Sequence, residues 1–194
     1  MPPAAVAAGI DGAISFLITV DKTGVATKAL VLSGPAWPCG KDEPTSELEL
    51  VRKSVSDILL AAKYSPAMKK GQPVEDKFLL DYAISETFRN GNASNAGGKP
   101  GIVYRGDLTG KALVSPRPKY PAGAKLQGLA GIVKMLVIYD EKGDVILAGP
   151  IVESKGFVET ARTAACATKF RPFKLDGTPV KASGFINYII SLPF

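Results

Sequence analysis

The chain of 194 residues contains no histidine. That removes Ser–His and Cys–His nucleophile pairs and every His-based metal site. The two cysteines, Cys39 and Cys166, are too few and too far apart for a metal set, which needs clustered ligands. "YRGDLTGKA" (Tyr104 to Ala112) looks faintly like a phosphate loop. Three residues separate Gly106 from Gly110 where the motif needs four, and Ala112 stands where Ser or Thr must hold a cation. The "RGD" inside it, Arg105 to Asp107, reads as a chance tripeptide in a loop. Asp140, Glu141 and Asp144 crowd one turn, where solvation explains them better than acid–base catalysis. No enzyme, metal or cofactor is expected. What remains is backbone chemistry. "GFINYIIS" (Gly184 to Ser191) is a strand that is apolar on both faces. Phe185 and Ile189 lie on one face, and Ile186, Tyr188 and Ile190 on the other. A core takes one face; the other needs cover or a partner. If this strand ends a sheet, its free N–H and C=O groups are a template for an added peptide strand. The competing reading is that these side chains only pack against a helix or another part of the chain.

The elements that would hold this strand occur twice. "PAMKKGQPV" (Pro66 to Val74) and "PFKLDGTPV" (Pro172 to Val180) share Pro, Gly, Pro and Val at the same places. "VDKTG" (Val20 to Gly24) matches "YDEKG" (Tyr139 to Gly143), each after an apolar run. At that same offset Gly9 falls on Gly128, Gly12 on Gly131 and Ala5 on Ala124. Each copy therefore predicts a short Ala-rich helix after a proline, a strand, an Asp-x-x-Gly turn and a second strand. A longer helix, the shared turn and a last strand follow.

The first long helix is expected in "SELELVRKSVSDILLAAKY", with Ser46 as N-cap and Glu49 three residues on. Leu48, Val51, Val55, Ile58, Leu59 and Ala62 form its apolar stripe. In "FVETARTAACATKF" the inward face is Phe157, Ala161, Ala164, Ala165 and Thr168, and the polar face Glu159, Arg162 and Cys166. The expected fold class is α+β: two tandem helix-strand-strand-helix-strand units over residues 1–88 and 114–194, each with a three-stranded antiparallel sheet. Residues 89–113, rich in Gly and Asn, read as a linker. A 14-residue insert, "GPAWPCGKDEPTSE", sets the first copy apart.

Charge differs between the halves. Residues 1–90 hold 10 Lys and Arg against 11 Asp and Glu, and residues 91–194 hold 14 against 7. A basic half suits nucleic acid, anionic lipid or an acidic protein partner, or simply solvates a surface. No basic-and-aromatic stretch of the kind that binds nucleic acid is present. No apolar run reaches the ~20 residues of a membrane helix, and no signal peptide is visible.

The second copy resembles the TonB C-terminal domain family. The resemblance rests on "RPKYP" (Arg117 to Pro121), Ala124, "GLAGIV" (Gly128 to Val133), "DEKGDV" (Asp140 to Val145), "KFRPF" (Lys169 to Phe173), "DGTPV" (Asp176 to Val180) and the final "INYIISLPF". The first copy resembles the same family more weakly, its opening motif cut at Met1. The resemblance implies a periplasmic, non-enzymatic adaptor linked to energy-dependent transport. Its last strand would bind the "TonB box" peptide of an outer-membrane transporter. The peptide is then expected along Gly184, Phe185, Ile186, Asn187, Tyr188, Ile189, Ile190 and Ser191, with Arg117, Lys119 and Tyr120 in reach. The family often has Gln where Arg117 stands. The inner-membrane helix and Pro-rich spacer that precede this domain in an energy transducer are not in this chain. Either they are missing or the chain is a soluble relative. Self-association, with the copies closing each other's edges in a structural envelope protein, is the alternative. In an oxidising compartment Cys39 and Cys166 could pair and so cover Cys166; a contact with the linker would cover it as well.

Overall fold

A computed structural model describes residues 3–84, 102–152 and 156–192. The first repeat runs α1 (Pro3–Ala7), β1 (Ala13–Val20), β2 (Ala26–Ser33), β3 (Trp37–Pro38), α2 (Thr45–Ala61), β4 (Ala67–Lys69), β5 (Gln72–Val74) and β6 (Asp76–Ala83). Next comes β7 (Val103–Asp107). The second repeat runs α3 (Ala122–Leu126), β8 (Gly131–Tyr139), β9 (Val145–Val152), α4 (Val158–Cys166), β10 (Phe173–Leu175), β11 (Thr178–Val180) and β12 (Ala182–Ile190). The fold is α+β, and apart from β3 and β7 the two element orders are the same.

The matched sequence motifs make matched backbone. Asp21 accepts hydrogen bonds at Oδ1 from the N–H groups of Thr23 (2.8 Å) and Val25 (3.0 Å). Asp140 accepts at Oδ1 from Lys142 and Asp144, both at 2.9 Å. Gly24 and Gly143 follow at φ +86° and +87°, where a β-carbon is unfavourable. Their carbonyls accept from Tyr64 N (2.9 Å) and Phe170 N (2.8 Å), so each long helix is tied back to the first hairpin. The repeated Pro-Gly-Pro-Val segments are β-hairpins, β4–β5 and β10–β11. Positive φ at both Lys70 and Gly71, and at both Asp176 and Gly177, gives each the turn whose twist suits a two-residue hairpin.

Each repeat builds its own core. In β1 the alternate residues Ile14, Phe16, Ile18 and Val20 are buried against Leu48, Val51, Val55 and Leu59 of α2. In β8 Val133, Met135, Val137 and Tyr139 pack with Phe157, Ala161, Ala164 and Ala165 beside α4 and with Ile186, Tyr188 and Ile190 of β12. Two local expectations fail. The helix α2 starts at Thr45 with Pro44 at its N-cap, and Ser46 donates to Glu47 instead of capping. Ile58 is 54% exposed, at the margin of the stripe rather than inside it.

The first sheet has the order β2-β1-β6 and is antiparallel throughout. The second has five strands, in the order β3-β9-β8-β12-β7. Its central three are antiparallel, as expected, and two strands from outside the repeat extend it. The segment 89–113 is therefore not all linker: Val103–Asp107 is a strand, lying parallel on β12. Residues 89–101 of that reading lie outside the described residues, and 108–113 follow β7 without helix or strand.

The insert of the first repeat supplies β3, which pairs with β9 through Trp37 to Ala148 and Pro38 to Leu147. Gly149 admits this crossing. A β-carbon there would stand 2.5 Å from Ala36 Cα and 2.7 Å from Pro35 O. Cys39 and Cys166 are joined by a disulfide across a separation of 127 residues. Arg162, expected on a solvated polar face, is only 6% exposed, because the insert lies on that face. Its Nη2 donates to Pro38 O (2.7 Å) and Trp37 O (3.2 Å), its Nε to Ala148 O (3.3 Å), and its guanidinium lies 4.2 Å from the Trp37 ring centre. Burial pushes the Arg162 pKa down, against the opposing pull of Glu159 and Glu43. The last strands β6 and β12 belong to different sheets and do not pair with each other; the one edge that the first repeat covers in the second, among the described residues, is that of β9, through β3.

Candidate functional site

The strand β12 pairs with β8 along its whole length, from Ala182 opposite Tyr139 to Ile190 opposite Gly131. Lys181 O accepts from Val103 N (3.1 Å), and Phe185 O accepts from Leu108 N (2.8 Å). The odd-numbered residues of β12 thus turn their backbone groups away from β8, toward the β7 side. The same alternation sends the N–H and C=O groups of Asn187 and Ile189 to that edge.

The front of this edge is occupied by the chain itself. Strand β7 runs parallel to β12 over Ala182–Phe185. Gly184 belongs to this contact. A β-carbon there would meet Gly106 O at 2.5 Å and the buried Leu108 side chain at 2.7 Å. Phe185 is half-buried under the Lys134 ammonium, 3.6 Å from the ring centre. Gly184 and Phe185, expected in the peptide site, instead anchor β7. The Asn187 N–H also has an internal partner, since it donates to Thr109 Oγ1 (3.0 Å). Asn187 Nδ2 donates to the same hydroxyl (3.2 Å) and to Asp107 Oδ2 (3.4 Å). Hydrogen bonds from the Thr109 hydroxyl and N–H hold the Asp107 carboxyl below its usual pKa.

Beyond Thr109 the edge opens. A cleft of about 390 Å³ is lined there by Thr109, Gly110, Ser115, Pro116, Arg117, Pro118, Tyr120 and Ile186 to Ser191. Ile186, Tyr188 and Ile190 turn their side chains into the core, whereas Ile189 is 79% exposed. Tyr120 is fixed: its hydroxyl donates to Leu129 O, and its ring meets Phe157 edge-on at 5.7 Å. Arg117 is exposed on the rim, with no ion-pair partner among the described residues. Lys119 does not line the cleft; its carbonyl accepts from the Thr160 hydroxyl.

The structure thus gathers Arg117, Tyr120 and Ile186 to Ser191 from the expected set and leaves out Lys119, Gly184 and Phe185. The sequence reading missed Thr109, Gly110, Ser115, Pro116 and Pro118. The signal for β7 was present in "GIVYRGDLTG", where β-branched and aromatic residues precede a Gly-containing turn. Among the described residues no cluster of three or more His, Cys, Asp or Glu could hold a metal, and no helix is long and apolar enough to cross a membrane.

The second repeat is thus a short α+β unit with an open strand end beside a proline-bounded cleft. Residues 116–190 match the family model of the Gram-negative bacterial TonB protein C-terminal domain, so the second repeat is similar to that family. It is a family of non-enzymatic, periplasmic interaction domains in energy-coupled transport, with outer-membrane transporters as partners. No curated protein matches the chain.

Proposed function

We propose that the second repeat is a periplasmic peptide-binding adaptor that takes an extended segment of an outer-membrane transporter, of the TonB-box kind, as an added strand. The observation that carries this reading is the open end of β12. There the Ile189 backbone groups face a cleft bounded by Arg117 and Tyr120. The site is shorter than the sequence suggested. Strand β7 holds the edge up to Phe185, and Thr109 takes the Asn187 N–H, which leaves the edge from the Asn187 carbonyl to Ser191. Backbone hydrogen bonds supply the affinity, and Arg117 favours segments with acidic or carbonyl-rich neighbours. The disulfide suits an oxidising compartment such as the periplasm.

On this reading the first repeat, 1–88, is a second domain of the same kind, and the second domain, 114–194, includes β7 as an added strand. The alternative, a structural protein whose repeats close each other's edges, has the β3–β9 pairing in its favour, but β6 and β12 lie in separate sheets and do not pair.

The test is calorimetric titration of the chain with a transporter's TonB-box peptide and with a scrambled control. Saturable binding that Ile189→Pro weakens about tenfold or more and Ile189→Ala largely keeps supports the proposal. Equal binding of the scrambled peptide, or no effect of the proline, refutes it.

A further inference from the structure

The sheet β2-β1-β6 has two faces. The one that carries Phe16, Ile18, Val31 and Leu80 packs on α2. On the other, the register sets three rows across the strands. Lys28, Thr19 and Lys77 form the first row, and Leu30, Leu17 and Leu79 the second. Ser15 and Asp81 stand in the third. Leu17, in the centre, is half-buried, whereas Leu30 and Leu79 at its sides are 44% and 72% exposed. Neither Lys28 nor Lys77 has an ion-pair partner among the described residues. Asp81 accepts from the Ser15 hydroxyl (2.6 Å). The second repeat meets the sheet beyond this third row, where a β-carbon on Gly12 would stand 2.8 Å from the Leu136 side chain.

This face has the shape and the charge of a helix seat. A half-buried floor between two exposed leucines suits a cylinder and not a plane. Leu30 and Leu79 are two strand spacings apart, about 9.6 Å, close to the ~10 Å diameter of an α-helix. From Lys77 to Asp81 the strand advances about 14 Å, the length of about nine helical residues. Charge sets the direction. Two unpaired lysines flank one end, and a carboxylate stands at the other. A helix is negative at its C-terminus and positive at its N-terminus, so its last turn belongs between Lys28 and Lys77 and its first beside Asp81. We propose that this face docks one amphipathic helix of another protein, laid along β1, with its apolar stripe on the leucine row and acidic side chains in its last turn. The chain's own long helices bury their stripes elsewhere: Leu48, Val51 and Val55 of α2 in the first core, Ala161, Ala164 and Ala165 of α4 in the second. The bound helix would complete a helix-sheet-helix sandwich around β1.

Fluorescence anisotropy of the full oxidised chain with a hydrocarbon-stapled helical peptide of about four turns tests this. The probe carries a leucine stripe, lysines in its first turn and glutamates in its last. A second probe exchanges the two charged turns. The first is expected to bind saturably and about tenfold more tightly than the second. Leu30→Asp should weaken it about tenfold or more. Lys28→Glu/Lys77→Glu, at two exposed side chains, should reverse the preference between the probes. Unchanged thermal transitions show that the variants fold. No saturable binding, equal binding of the two probes, an unreversed preference or indifference to Leu30→Asp each overturns the proposal. So does a dimer in sedimentation equilibrium that Leu30→Asp disperses, which would put a second copy on this face. Binding to phosphatidylglycerol vesicles that Leu30→Asp abolishes would make it a lipid surface and overturn it too. None of these variants touches β12, so peptide binding there is judged separately.

Discussion

The strands β6 and β12 end two repeats of one frame, yet their edges differ. Counting from the shared hairpins, Asp76-Lys77-Phe78 of β6 stands where Ala182-Ser183-Gly184 stands in β12. The small residues let another strand approach: Leu108 lies over Gly184, and β7 closes the front half of that edge. In β6 the equivalent place holds Phe78, whose ring packs 5.6 Å from Tyr64. No strand is added there among the described residues. One glycine against one phenylalanine accounts for where an extra strand can sit. A repeated backbone therefore does not carry a repeated interface, because an interface depends on the few side chains at the rim.

The joint between the repeats is equally one-sided. The insert of the first repeat lies on the helix of the second, and no insert of the second lies on α2 among the described residues. Replacing Cys39 or Cys166 with serine removes a link that closes a very long loop. It should lower unfolding stability by about 3–4 kcal/mol in chemical denaturation. A loss below about 1 kcal/mol would show that the insert holds without it. Arg162→Ala leaves the Trp37, Pro38 and Ala148 carbonyls without their donor and removes the Trp37 stack; about 3 kcal/mol should be lost. Ser56 lies as far before Tyr64 as Arg162 lies before Phe170 and is half-buried, and Ser56→Ala should stay within about 0.5 kcal/mol. Similar losses at both sites would break the asymmetry.

The frame itself should respond symmetrically. A β-carbon at Gly24 would stand 2.2 Å from Tyr64 O, and one at Gly143 2.0 Å from Phe170 O, both at positive φ. Gly24→Ala and Gly143→Ala should each cost about 2 kcal/mol, read from separate thermal transitions or from hydrogen exchange in each core. A difference above about 1 kcal/mol would mean that the two turns bear unequal load. The smallest expected effect concerns the edges. Ile189→Pro should weaken peptide affinity about tenfold or more, and Leu79→Pro should leave it unchanged. The reverse result would move the peptide site to the first repeat.

Much of this was legible along the chain. The Asp-x-x-Gly turns, the paired hairpins, the period-two burial of Ile14, Phe16 and Ile18 and the inward face of α4 follow from local rules: positive φ needs glycine, and alternation buries one side of a strand. The joint was not legible. Arg162 reads as a surface residue because helical period assigns it to a polar face, and only the insert, more than a hundred residues earlier, buries it. Strand β7 was passed over because a five-residue strand beside Gly- and Asn-rich sequence gives a weak period. Its partner is fixed by contact with Gly184 and not by anything adjacent.

The sequence alone determined the repeated frame, the lack of histidine-based chemistry and the apolar last strand, because turn geometry and burial period act over a few residues. Only the tertiary structure decided which part of β12 remains an edge and what covers Arg162. It alone decided that the two repeats are joined by a strand of the insert and a disulfide, with β6 and β12 left in separate sheets. Those outcomes depend on which distant groups arrive at the same place, and no local pattern encodes that.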